Sequence, residues 1–212
     1  MSNKREYTKQ AIKRLVVGGL MLAISILLPQ IFHLAGGPAS GAVFLPMHIP
    51  VLVTGFVLGP LMGFIVGILS PLISFLMTGM PPSPRLPFMI VELATYGWVA
   101  GFIYHTLRAR RLWSGKKEGA EQECTLLGRF GAIFITLLSA MIIGRIVFAV
   151  SLVIQTQLFG IENAGPASVW LAVSTGFVGI IIQIIVIPPI ILALQKGGRI
   201  YGSSNYGKTK TD

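Results

Sequence analysis

The chain has 212 residues, of which 53% are hydrophobic and only 11% charged, and its mean hydropathy is +0.77. That charged share is about half of what a soluble domain carries, and apolar runs near or beyond the ~18 residues of a membrane-spanning helix recur along the chain, which excludes a soluble globular fold. The net charge of +10 does not indicate nucleic-acid binding. The basic residues fall into three clusters beside apolar segments (Lys4, Arg5, Lys9, Lys13, Arg14; Arg108, Arg110, Arg111, Lys116, Lys117, Arg129; Lys196, Arg199, Lys208, Lys210). No aromatic residues are interleaved to stack bases, and such clustering is what the positive-inside rule expects of cytoplasmic loops.

The runs are continuous rather than alternating in short strands, which argues against a transmembrane barrel. The expected fold class is all-α: a membrane protein of six transmembrane helices in one bundle, with both termini cytoplasmic. Residues 1–10 read as a cytoplasmic tail, 11–195 as the membrane domain with a cytoplasmic loop at about 108–125, and 196–212 as a second tail. The lone Cys124 permits no disulfide within the chain. The first apolar run is long and lacks a clear small-residue cleavage site, so it reads as the first helix rather than a removable signal.

In chain order, the first helix is expected over about 11–32, with Pro29 bending or ending its outer part. A Gly/Ala/Pro-rich loop follows to residue 44. The second and third helices, about 45–58 and 61–78, are joined by an inner turn at Gly59-Pro60. The second, at about 14 residues or ~21 Å, is short of the ~30 Å hydrocarbon core and must be tilted, re-entrant or shielded by neighbours. A proline-dense loop (Pro81, Pro82, Pro84) leads to the fourth helix, about 87–107. The fifth runs over about 126–155; the sixth, over about 168–194, carries a kink-prone Pro188-Pro189. No convincing internal repeat is present, which weakens a carrier built from inverted repeats.

Gly55, Gly59, Gly63 and Gly67 recur at four-residue spacing. Such a ladder lets helix backbones approach closely. Because the turn interrupts it, it reads as two separate patches serving packing within the bundle. Helix 1 offers another small-residue patch, Gly19-x-x-x-Ala23.

Glu92 is the one acidic residue inside an apolar segment, with Tyr96 one turn on along the same face. Arg145, within FITLLSAMIIGRIVFAVSLVI, is the comparable cation. Charges at this depth are costly and mark ion pairs or solute sites, and both readings stand. With the expected topology, the outer ends of the helices bring together Met47, His48, Ser74, Thr78, Arg85, Tyr96, Gln155, Asn163 and Trp170 as a pocket for a small polar solute. His48 could instead pack on a backbone carbonyl, Trp170 could be an interfacial anchor, and Arg85 could be an exposed loop cation. Enzyme signals are weak: there is no zinc-protease, nucleophile-elbow or phosphate-loop motif, and His33, His48 and His105 lack metal-ligand spacing. No metal and no cofactor is expected.

The run LPMHIPVLVTGFVLGPLMGFIVGILSPLISFLMTGMPP followed by FMIVELATYGWVAGFIY resembles the substrate-specific S components of bacterial energy-coupling factor (ECF) vitamin transporters. The resemblance implies a multi-pass subunit in the bacterial cell membrane that binds a vitamin or precursor from outside. It also implies partners, a transmembrane coupling subunit and two ATPase subunits, with which the solute is released inward. In such proteins an Ala-x-x-x-Ala motif on helix 1 contacts the coupling subunit; here Gly19 and Ala23 occupy the matching places, Gly replacing the first Ala. The family's pocket lies in the outer halves of helices 4 to 6 and in outer loops, which implies substrate-binding roles for Glu92, Tyr96, Arg145, Asn163 and Arg85, beside His48 and Trp170. Pantothenate and α-ribazole are the leading solutes: Arg145 suits the first if Glu92 leaves it free, and a closed Glu92–Arg145 pair suits the neutral second. The alternatives are a stand-alone secondary transporter of a small polar solute and, last, an intramembrane enzyme using Glu92 or His48.

Overall fold

The computed structural model describes residues 2–37, 41, 43–114, 126–159 and 174–196. Among them the chain is all-helical: α1 (Ser2–Gly36), α2 (His48–Leu58), α3 (Pro60–Thr78), α4 (Leu86–Ser114), α5 (Leu126–Phe159) and α6 (Phe177–Lys196). Five of these are long and apolar enough to cross a membrane, and α2 is the shorter apolar helix. Large apolar side chains such as Leu15, Leu27, Ile31, Ile142 and Ile185 stand more than half exposed. An outer surface so apolar suits lipid rather than water; the protein is a multi-pass membrane protein.

Several helix limits differ from the sequence expectation. α1 starts at Ser2 because residues 2–10 contain no Gly or Pro and are largely good helix formers. It also runs on through Pro29 to Gly36: a proline removes one backbone bond but need not end a helix that is packed against neighbours. α4 likewise extends to Ser114. The first residues of the expected sixth helix, 168–173, lie outside the described residues, as does most of the 108–125 loop.

The helices alternate in direction between two ends of the bundle. One end gathers Pro29 and His33 of α1, His48 at the start of α2, Ser74 late in α3, Met89 early in α4 and Phe148 of α5. At the other, Gly18 of α1 meets Leu58 and Met62 beside the Gly59-Pro60 turn, His105 Nε2 lies 3.2 Å from the Phe56 carbonyl, and Gln195 of α6 donates to the Tyr104 hydroxyl. The turn itself requires glycine: Gly59 has φ +99°, and Pro60 opens α3 where its missing N–H costs no helix bond.

α2 sits in the middle, touching α1, α3, α4 and α6, and all its residues except Ile49 are buried. At 11 residues, or roughly 17 Å, it is too short to span the hydrocarbon core alone. Enclosure resolves this, since backbone that lipid never meets need not span it.

The glycine ladder is one contact and not two patches. A Cβ built on Gly55 of α2 or on Gly63 of α3 would strike the same backbone carbonyl, that of Gly97 on α4. Gly67 faces the backbone of Leu93 and Ala94, and Gly101 faces Gly59 and Pro60. The α2–α3 hairpin folds the interrupted ladder back on itself, and Gly97 and Gly101 supply the third wall. Buried hydroxyls are handled locally: Thr54, Ser70 and Thr136 donate to carbonyls four residues back at 2.7 Å. Ser70 also meets Ser25 of α1 at 2.6 Å, tying α1 to α3.

These contacts set a matched pair of outcomes. Gly97→Ala drives a methyl into the Gly63 backbone and lowers stability by about 1–3 kcal/mol despite its gain in helix propensity. Gly19→Ala, with no atom within 4 Å of the new Cβ, is neutral or stabilising by up to ~1 kcal/mol. Thermal unfolding in detergent reads both, and equal shifts would contradict the assigned interface.

Candidate functional site

The close approach at Gly97 fixes the face of α4 that turns inward, and Leu93, Tyr96, Ala100 and Tyr104 are buried along it. Glu92 lies on the same side, 4% exposed. Its Oε1 is 3.1 Å from Arg145 Nη1 and accepts a hydrogen bond of 3.0 Å from the Tyr96 hydroxyl. His48 Nε2, from the first residue of α2, stands 4.0 Å from the same oxygen, too far for a hydrogen bond. The His48 and Tyr96 rings meet edge to face with centroids 5.3 Å apart. Gly144 makes room for this arrangement, because a Cβ there would overlap the Tyr96 ring. The residue before Arg145 thus lets α5 settle on Tyr96 and bring the guanidinium to Glu92.

A buried ion pair is held by its geometry; removing one partner strands the other charge, at a cost of about 3–5 kcal/mol. The pair does not exhaust the donors around it. Arg145 Nε and Nη2 are buried with no hydrogen-bond partner among the described residues. The same holds for both ring nitrogens of His48: the Leu45 carbonyl lies near the ring but outside hydrogen-bond geometry. Gln183 Nε2 of α6 is a further buried donor in this state, and one the sequence reading did not single out.

Glu92, Arg145 and His48 border a cavity of about 150 Å³. Pro29 and His33 of α1 line one side, and Leu45, Pro46, Met47 and His48 the base of the α1–α2 connection. Ser74 lines it from α3, Met89 and Glu92 from α4, and Arg145 and Phe148 from α5, with Thr175 just before α6. Met80, Pro81, Pro82 and Arg85 of the α3–α4 loop complete the wall, the exposed arginine at its rim. Aromatic contacts brace the surround: Phe32 with Phe44 at 5.1 Å and Phe88 with Phe148 at 6.1 Å.

Of the residues singled out from sequence, Met47, His48, Ser74, Arg85, Glu92 and Arg145 border this cavity. Tyr96 is instead packed behind Glu92, orienting the carboxylate. Thr78 is engaged elsewhere, donating to the Ser74 carbonyl and accepting from Gln30. Asn163, Trp170 and the Gln155 side chain lie outside the described residues. Met89 and Phe148 escaped the sequence reading although each is three residues from a charge that was recognised, the spacing that places side chains on one helix face. Pro29 and His33 carry the same signal at four residues, hidden because the helix was expected to bend or end at that proline.

Gly19 and Ala23 are both exposed, away from the cavity on the outer side of α1.

The arrangement is a small chamber at one end of a helix bundle, with apolar walls, a few fixed polar groups and a buried charge pair, the usual make-up of a solute site. Among the described residues there is no group of His, Cys, Asp or Glu side chains able to hold a metal. No curated protein and no solved structure matches the chain significantly. A family model described as "ECF transporter, substrate-specific component" matches residues 13–191, which is most of the chain. The chain belongs to the family of substrate-specific components of ECF transporters.

Proposed function

We propose that this chain is the solute-binding membrane subunit of an ATP-driven bacterial importer of a vitamin or vitamin precursor, with pantothenate and α-ribazole as leading solutes. The observation that carries the reading is the cavity bordered by Glu92 and Arg145, a buried charge pair with further donors unmet, in a chain of this family. Solute enters at the cavity end from outside and leaves inward with the help of a coupling module. The chain contains no phosphate-cradling loop of its own, so ATP hydrolysis belongs to two ATPase subunits joined through a transmembrane coupling subunit.

All six helices cross the membrane in this reading, α2 inside the jacket of its neighbours. The alternation of direction supports it. So does charge: the start of α1, the end of α4 and the end of α6, where the basic clusters fall, share the end of the bundle opposite the cavity. That end is cytoplasmic. The exposed side of α1 at Gly19 and Ala23 is the surface for the coupling subunit, since small residues permit close helix approach.

Two outcomes follow from this assignment. In reconstituted vesicles, uptake of radiolabelled solute requires the coupling subunit, both ATPases and ATP. Full uptake by the chain alone, abolished on collapsing a proton or sodium gradient, would instead establish a secondary transporter. Gly19→Leu and Ala23→Leu leave solute binding by the isolated chain intact but reduce co-purification with the coupling subunit by at least about tenfold, roughly 1.4 kcal/mol. Undiminished assembly by both variants would show that the contact lies elsewhere.

A further inference from the structure

The Glu92–Arg145 pair is closed, yet it uses only one corner of the guanidinium. Nη1 faces Glu92, whereas Nε and Nη2, both buried, have no hydrogen-bond partner among the described residues. Those two nitrogens form one edge of the planar group, with parallel N–H bonds at the spacing of the two oxygens of a carboxylate. A buried donor left without a partner is costly and calls for an explanation. Here the same cavity is bordered by His48, 2% exposed with both ring nitrogens unmet, and by Arg85 at the rim, which forms no ion pair among the described residues. With Glu92 answered by Arg145, the described lining retains one positive charge, on Arg85, if its histidines are neutral.

Resting on the solute-binding reading above, we propose that the solute carries a carboxylate that docks in two parallel hydrogen bonds on the Nε–Nη2 edge of Arg145, facing Arg85. Glu92 stays paired throughout and is a positioning residue: together with Tyr96 it holds the guanidinium with that buried edge unpaired. A solute acid therefore need not compete with Glu92 for Arg145, and a closed pair does not favour a neutral solute. His48 meets a hydroxyl or amide close to the carboxylate. A neutral hydroxylated solute would leave Arg85 unanswered and could offer the Arg145 edge no matching pair of acceptors. Lysine could pair with Glu92 at this position but lacks the fork.

The test uses the full chain purified in detergent and three matched pairs of probes: pantothenate and pantothenol, biotin and biotinamide, nicotinate and nicotinamide, with α-ribazole as a further neutral probe. Affinity is read by calorimetry up to about 1 mM probe. The expected result is that at least one acid binds and its neutral counterpart is weaker by at least about tenfold. Arg145→Lys, which keeps a cation opposite Glu92, lowers the acid's affinity by at least about tenfold and leaves the neutral probe unchanged. If that variant does not fold, Glu92→Gln combined with Arg145→Gln leaves no charge stranded and loses the preference for acid over neutral probe. The proposal is overturned if a neutral probe binds as tightly as its acid, if α-ribazole binds and no acid does, or if Arg145→Lys keeps full affinity for the acid. It is also overturned if no acid binds while the chain still assembles with the coupling subunit and ATPases. Failure to assemble with them is the separate result that would remove the importer reading.

Discussion

Everything in this bundle depends on how closely backbones approach at Gly97. Gly55 and Gly63, on two successive helices, press on one carbonyl of a third, and no residue with a side chain fits at that meeting point. Lipid offers no hydrophobic force to draw helices together, so packing at this range and the bonds it permits hold them. The contact closes the α2–α3 hairpin against α4 and encloses a helix of 11 residues that could not face lipid across the whole membrane. It also sets the rotation of α4, and with it the direction in which Glu92 points.

From that rotation the site follows. Glu92 and Tyr96 lie one turn apart and are turned toward α5, where Gly144 is small enough to admit the Tyr96 ring and Arg145 completes the pair. A carboxylate and a guanidinium placed this deep would be a poor means of stability, because the cost of removing both from water offsets most of their attraction. On the reading proposed above, their use is orientation. One oxygen of Glu92 is met by Arg145 and Tyr96, fixing a guanidinium whose other edge is buried with no partner among the described residues. Rigid backbone packing at one level of α4 thus supports a polar constellation at the next.

The membrane class, the six helices among the described residues and the Gly59-Pro60 turn were legible in the residues, and the pairing of Glu92 with Arg145 was one of two readings they left open. Each rests on a local signal: a run of apolar residues, a turn dipeptide, or a charge too costly to leave alone. What local signals could not supply was the way α2 and α3 fold back on each other. For that reason the glycine ladder looked like two patches, and Gly97, Gly101 and Gly144 passed unnoticed although the first two lie four residues apart. The same limit applies to the cavity. Met89 and Phe148 could have been found by stepping three residues from the charges, but Leu45, Pro46 and the prolines after α3 reach it only through the path of their loops. Of the two expectations at Pro29, an end to the helix fails because the missing N–H was weighed without the neighbours that hold α1 helical beyond it. Asn163 and Trp170 lie outside the described residues.

The central claim is that the cavity beside Arg145 holds the solute. Mass spectrometry of the small molecule retained by the purified chain, compared with a Met89→Trp variant whose new side chain fills the cavity, tests it most directly. The account predicts one vitamin-sized acid retained by the native chain and absent from the folded variant. A molecule retained equally by both would place the solute site elsewhere and contradict it.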